Sequence, residues 1–189
     1  GDRYRPSCMY CALWGYNFNL MKTIEQSPNV CLDPKNSSLA RQLWRGSSKL
    51  LVVERAWLST HRILAAVIAR EVLSNVWWPI VTKTVKLKDG TLGSDDVGKI
   101  LSLWFNSTYG ALLLFSIAEI TRGAWVGFKK EPLSTLPVID VSKLTMARAK
   151  TLLSLYDDLH LQELKPLPEE FAKPVVRKKI DDVFNETLD

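Results

Sequence analysis

The 189-residue chain contains no run of 18 apolar residues free of charged or strongly polar side chains. Its best candidate, Leu101 to Ile117, is interrupted by Asn106, Ser107, Thr108 and Gly110 and reads as a buried helix, not a membrane span. The N-terminal Gly1-Asp2-Arg3-Tyr4 carries no signal-peptide pattern. The expectation is therefore a cytoplasmic protein with no membrane partner. Nine glycines and nine prolines are too few for a low-complexity or collagen-like chain. No G-x-G-x-x-G, P-loop, H-E-x-x-H or G-x-S-x-G motif occurs. The only histidines, His61 and His160, lie far apart, and His160 reads as a surface residue of a helix. Acid–base chemistry would fall on carboxylates, and no pair of them stands out. Glu54, Glu71 and Lys83 can be grouped as a metal-dependent nuclease set only by a generic spacing.

Cysteine is also scarce. Three residues, Cys8, Cys11 and Cys31, are an odd number and do not suggest a disulfide framework. A structural zinc site needs four ligands, and only His61 is conceivable as the fourth. The flanks of Cys8-x-x-Cys11 are loop-like, which disfavours a redox motif. Plain thiols are expected.

What is present is an ordinary globular composition, 47% hydrophobic and 24% charged. The length suits one domain, or one domain with an appendage. The net charge of +5 is unevenly spread. Residues 41–90 carry nine basic and three acidic groups, and 120–150 carry six and two. Residues 151–189 carry five and nine. A basic middle suits a polyanionic partner, and it equally suits a solvated surface.

Residues 1–47 read as an irregular segment, with prolines at 6, 28 and 34 and one short helix around Ser38 to Trp44. Leu50–Val53 is an apolar, β-branched strand. Ile63–Ile68 is a second apolar run, its alanines leaving helix open. Val76–Val81 is a third, which Pro79 assigns to a sheet edge or a bulge. Asp89-Gly90 marks a turn. Ser94 predicts an N-cap for a helix from Asp95 towards Phe115, with Gly110 inside it marking a close contact or a kink. Residues 119–130 alternate as a strand or hairpin arm, Leu133–Leu136 is a connector, and Val138-Ile139 is a brief strand. A helix from Ser142 ends at Pro166 and Pro168, and a last helix starts near Pro174 with Val176, Ile180, Val183, Phe184 and Leu188 in one stripe. The class is α+β, a mixed or antiparallel sheet with packed helices over 48–141, followed by a C-terminal helical pair over 142–189. Trp57, Trp104 and one of Trp77 and Trp78 are expected in the core.

Three segments carry a resemblance. The first is Val52-Val53-Glu54-Arg55-Ala56-Trp57-Leu58-Ser59-Thr60-His61-Arg62, with Val72 to Pro79 after it. The second is Leu103-Trp104-Phe105-Asn106-Ser107-Thr108-Tyr109-Gly110. The third is Thr121-Arg122-Gly123-Ala124-Trp125-Val126-Gly127-Phe128-Lys129-Lys130, followed by Leu136-Pro137-Val138. Their order resembles the C-terminal target-recognition region of N6-adenine DNA methyltransferases from restriction–modification and related defence systems. The second and third are also similar to target-recognition domains of type I specificity subunits. Arg177-x-x-Ile180-Asp181-x-x-Phe184 is similar to the closing helix of such chains. The resemblance covers roughly 48–189.

It implies sequence-specific double-stranded DNA binding next to a methyltransferase catalytic domain or subunit. The chain lacks the F-x-G-x-G loop and the Asn/Asp-Pro-Pro-Tyr motif of those enzymes, so S-adenosylmethionine and the catalytic residues are expected elsewhere. The candidate DNA contacts are Thr60, His61 and Arg62, then Lys83, Lys86 and Lys88, then Arg122, Lys129 and Lys130. The lysines also suit a solvated hairpin, and Arg122 also suits a packed pair with Trp125. Asn106-Ser107-Thr108 is expected to bond neighbouring backbone. The competing reading is a protein-interaction or assembly domain with an incidental basic surface.

Overall fold

A computed structural model gives the fold and describes residues 2–3, 8–15, 21–121, 123 and 125–188. Its centre is the apolar strand β5 (Ser48–Val53), in which Leu50 to Val53 are all buried. Burial on both faces is what a continuous apolar run encodes. Strand β7 (Ala65–Ser74) pairs antiparallel on one side of it and β8 (Trp77–Ile80) on the other. The alanines of the second apolar run therefore belong to a strand. β8 is outermost on its side, so Pro79, which cannot donate to a further strand, sits at the sheet edge.

The beginning of the chain is not irregular. β1 (Asp2–Arg3), β2 (Cys11–Leu13), β3 (Glu25–Gln26) and β4 (Val30–Cys31) extend the sheet in the order β1-β4-β2-β7-β5-β8, with β3 also on β7. Both β2 and β3 run parallel to β7. Two- and three-residue strands carry too little periodicity to be read from sequence. The pairing of β2 with β4 sets Cys31 opposite Cys11, yet its disulfide is with Cys8, three residues before Cys11, at a Cα–Cα distance of 5.7 Å. The expectation of three plain thiols is thus corrected: one pair forms, and Cys11 is free and buried. Among the described residues no group of three or more His, Cys, Asp or Glu side chains is placed to hold a metal ion.

Helix α1 (Ser37–Trp44) is capped by Asn36, whose side chain accepts from Leu39 N. The Asp89-Gly90 turn joins β9 (Val85–Lys86) to β10 (Thr91–Leu92). The long helix expected from Asp95 is two helices, α2 (Ser94–Asn106) and α3 (Thr108–Ser116). The cap residue of α2 is Gly93 rather than Ser94, with Asp95 and Asp96 in the first turn. Ser107 breaks the run and caps α3, accepting from Gly110 N at 3.1 Å. Gly110 packs on the preceding turn so closely that a Cβ there would lie 2.1 Å from Trp104 O. Asn106 bonds the sheet: its Oδ1 accepts from Leu64 N, and its Nδ2 donates to Ala65 O and Ser102 O, all at 2.8 Å. A buried amide satisfied on three sides is a structural fixture.

A second, three-stranded antiparallel sheet joins β6 (Arg55–Trp57), β12 (Trp125–Gly127) and β11 (Glu119–Ile120). Its cross-strand pair Trp57–Trp125 meets edge to face at 5.0 Å. Trp77 and Trp104 are buried, whereas Trp57 is only half-buried. The connector after it is a short helix, α4 (Lys130–Ser134), and Val138-Ile139 is not a strand. Helices α5 (Met146–Leu159), α6 (Leu167–Ala172) and α7 (Val176–Leu188) complete the chain. Helix α5 ends at Leu159, ahead of the prolines expected to stop it; Pro166 and Pro168 instead stand at the start of α6, because a proline at the first helical turn gives up no hydrogen bond. His160 is half-buried, its ring stacked on Tyr156. Among the described residues no helix is long and apolar enough to cross a membrane.

Candidate functional site

A groove of about 840 Å³ opens where the two sheets meet. Two backbone bonds and one from an indole set its floor. Phe128 N donates to Glu54 O at 2.8 Å, Glu54 N donates to Val76 O at 3.2 Å, and the Trp78 indole donates to Phe128 O at 2.7 Å. Together they tie β6, β8 and the end of β12. The register places Glu119, Gly127 and Arg55 in one row across the small sheet. Gly127 stands in the middle of that row, where an added Cβ would lie 3.4 Å from Thr121 Cγ2. Trp78, Trp125 and Asn75 add aromatic and amide surface to the lining.

Among the described residues, both cations of the groove carry a carboxylate. Arg55 Nη2 lies 3.4 Å from Glu54 Oε1, and Lys129 Nζ lies 2.8 Å from Glu119 Oε2. These four groups balance one another in charge. Arg55, Lys129 and Glu119 are more than half exposed and Glu54 is half-buried, so each pair contributes little to stability, about 0–1 kcal/mol.

The other basic surface is the segment leading into the β9–β10 hairpin. Lys83, Lys86 and Lys88 are all exposed. Leu87 between the last two is buried, so the backbone there turns both lysines outward. The adjacent Asp89 forms no ion pair with them; its carboxylate is turned to Met146 N, from which it accepts at 2.9 and 3.1 Å. Among the described residues no carboxylate lies within ion-pair distance of these three lysines. The strand β8 links the two surfaces. Trp78 pairs with Val52 at the groove end, and Ile80 pairs with Leu50 at the hairpin end. Lys83 is five positions after Trp78, a reach of at most about 18 Å.

The Thr60-His61-Arg62 corner behaves differently from expectation. His61 is fully buried, with its ring 5.9 Å from that of Trp77. Burial pushes its pKa down to about 4, with a hydrogen bond to the Ile63 backbone opposing the shift in part. A neutral core imidazole cannot reach a DNA groove, so His61 is withdrawn as a contact. Arg62 is half-buried, and its Nη1 donates to Leu164 O at 2.8 Å. Leu167 N donates to His61 O at 2.8 Å. The chain between α5 and α6 thus covers this corner and leaves only Thr60 exposed. Lys129 lies in the groove lining and Lys130, exposed, begins α4. Arg122 lies outside the described residues. Glu54 and Glu71 stand at opposite ends of β5, because Glu54 follows Val53 and Glu71 precedes Val72, the partner of Ser48. The nuclease grouping is not assembled.

Sequence reasoning passed over Arg55, Asn75, Trp78 and Glu119 as site residues. The first three lie inside the segments that carry the resemblance, but nothing in their local pattern marks them as groove-lining. Compared with protein-family models, curated proteins and solved structures, the chain finds no match.

Proposed function

We propose that this chain recognises double-stranded DNA as the target-recognition part of an adenine-specific DNA methyltransferase or a related restriction–modification protein. The observation that carries the reading is the meeting of the first and third resembling segments. They supply β6, β8 and β12, which wall one groove beside an exposed lysine segment. Exposed lysines that are in no ion pair suit phosphate contacts. A groove with aromatic, amide and guanidinium groups suits base edges. Methyl transfer and S-adenosylmethionine belong to another part of such an enzyme.

A protein contact is the second reading, and it concerns another face. α3 and the start of the last helical pair leave Leu112 60%, Phe171 40% and Val175 51% exposed. In the primary reading this face meets the catalytic part of the enzyme and is turned away from DNA.

The test is the triple variant Lys83→Ala/Lys86→Ala/Lys88→Ala. Duplex binding should weaken on every sequence by a similar factor, and the slope of log affinity against log salt should become shallower by about 2 to 3. Unchanged affinity and slope would remove the hairpin from the interface.

A further inference from the structure

Among the described residues, both cations of the groove are ion-paired to this chain's own acids, while the hairpin lysines are in no ion pair. From that contrast, and resting on the DNA reading above, we propose that Glu54 and Glu119 are specificity determinants: they cancel the groove's pull on phosphate, so that the groove responds to base edges.

The geometry supplies the argument. Glu119 and Arg55 stand in the same row of the small sheet on either side of Gly127, and Lys129 reaches Glu119 from two residues further on. A guanidinium or ammonium at 2.8 to 3.4 Å from a carboxylate presents little net charge to a phosphate several ångströms away. The carboxylate itself repels phosphate. It also offers acceptors that a phosphate cannot use and that cytosine N4 can. Arg55, released from Glu54 when a base edge replaces the carboxylate, has the fork geometry for guanine O6 and N7. A wrong base would leave both members of a pair poorly satisfied. Discrimination by an introduced penalty, rather than by extra attraction, is a general route to specificity. The hairpin then carries the sequence-independent affinity and the groove carries the choice of sequence.

The pairs contribute little to folding, so the acids can be changed without loss of the fold. The experiment compares the unmodified 189-residue chain with Glu54→Gln, Glu119→Gln and the double variant. Each is measured on a random duplex and on whatever motif the unmodified chain enriches from a random pool, at about 50 and 200 mM salt. The double variant is expected to bind random duplex about tenfold more tightly, with a slope steeper by about 2, because two cations become free for phosphates. The preference for the enriched motif is expected to fall about tenfold. Thermal melting of the variants should match that of the parent.

If the parent binds and enriches a motif but the double variant keeps the same preference, the proposal is overturned and the DNA reading stands. If the parent binds without enriching any motif, the groove chooses nothing and the proposal is again overturned. If the parent does not bind duplex DNA at low salt, both fail together.

Discussion

Asp181 accepts two hydrogen bonds from one residue, Thr108: from its N–H at 2.7 Å and from its hydroxyl at 2.6 Å. One turn earlier, Arg177 donates to Asn106 O and, at 3.2 Å, to Ser107 O. Two motifs separated by about seventy residues of sequence therefore form one joint, in which α7 is bolted to the break between α2 and α3. Burial pushes the Arg177 pKa down, and the charges of Glu170 and Asp181 oppose that shift.

This joint predicts coupled losses. Asp181→Ala should lower stability by about 2 kcal/mol and Thr108→Val by about 1 kcal/mol, since bonds to a charged acceptor are the stronger kind. The double variant should cost less than the sum. Urea denaturation of the four proteins measures this, and strictly additive losses would show that the two residues are not coupled.

Gly110 is the least replaceable position of the same joint. A methyl group at Gly110 would meet the Trp104 carbonyl at 2.1 Å, with backbone rather than a flexible side chain in the way. Gly110→Ala should lose about 3 kcal/mol or more, or fail to accumulate as folded protein. A thermal melt within a few degrees of the parent would contradict the packing described.

His61 makes stability depend on pH. Its folded-state pKa of about 4 is below the ordinary value of 6.5, so the unfolded chain binds more protons between those values. The stabilisation is fully present above pH 6.5 and is lost as pH falls towards 4, amounting to about 3 kcal/mol. Denaturation at pH 7 and pH 5 should show the drop, and His61→Phe should flatten it. An equal pH slope in both proteins would place the titrating group elsewhere.

The Cys8–Cys31 bond closes a loop with a sequence separation of 23. On loop-entropy grounds it should contribute roughly 3 kcal/mol. Peptide mapping without reductant should find Cys8 joined to Cys31 and Cys11 unmodified. Reductant should lower the melting temperature of the parent and leave Cys8→Ser/Cys31→Ser unaffected.

The elements that could be read in advance are those whose signal is local. Pro79 pointed to a sheet edge or a bulge, and the edge is what forms; the apolar residues Leu50–Val53 pointed to a strand, and Ser38 to Trp44 to the short helix α1. Asn106-Ser107-Thr108 was legible as a structural triplet because a polar run on an apolar helix needs backbone partners. The failures are non-local. The strands in the first 31 residues exist through pairing with β7 and with each other, and Cys31 meets Cys8 only through that pairing. His61 looked exposed beside Thr60 and Arg62, and its burial depends on the chain after α5. The groove is assembled from residues on four separate strands and turns, and no single stretch of sequence shows it.

The measurement that tests the central claim most directly is duplex-DNA binding by the whole 189-residue chain at about 50 and 200 mM salt, with a random pool carried through selection. The account predicts binding that weakens by roughly two orders of magnitude across that range, and a short enriched motif. No binding at the lower salt would contradict it and would leave the exposed face of α3 and α6 as the surface to pursue.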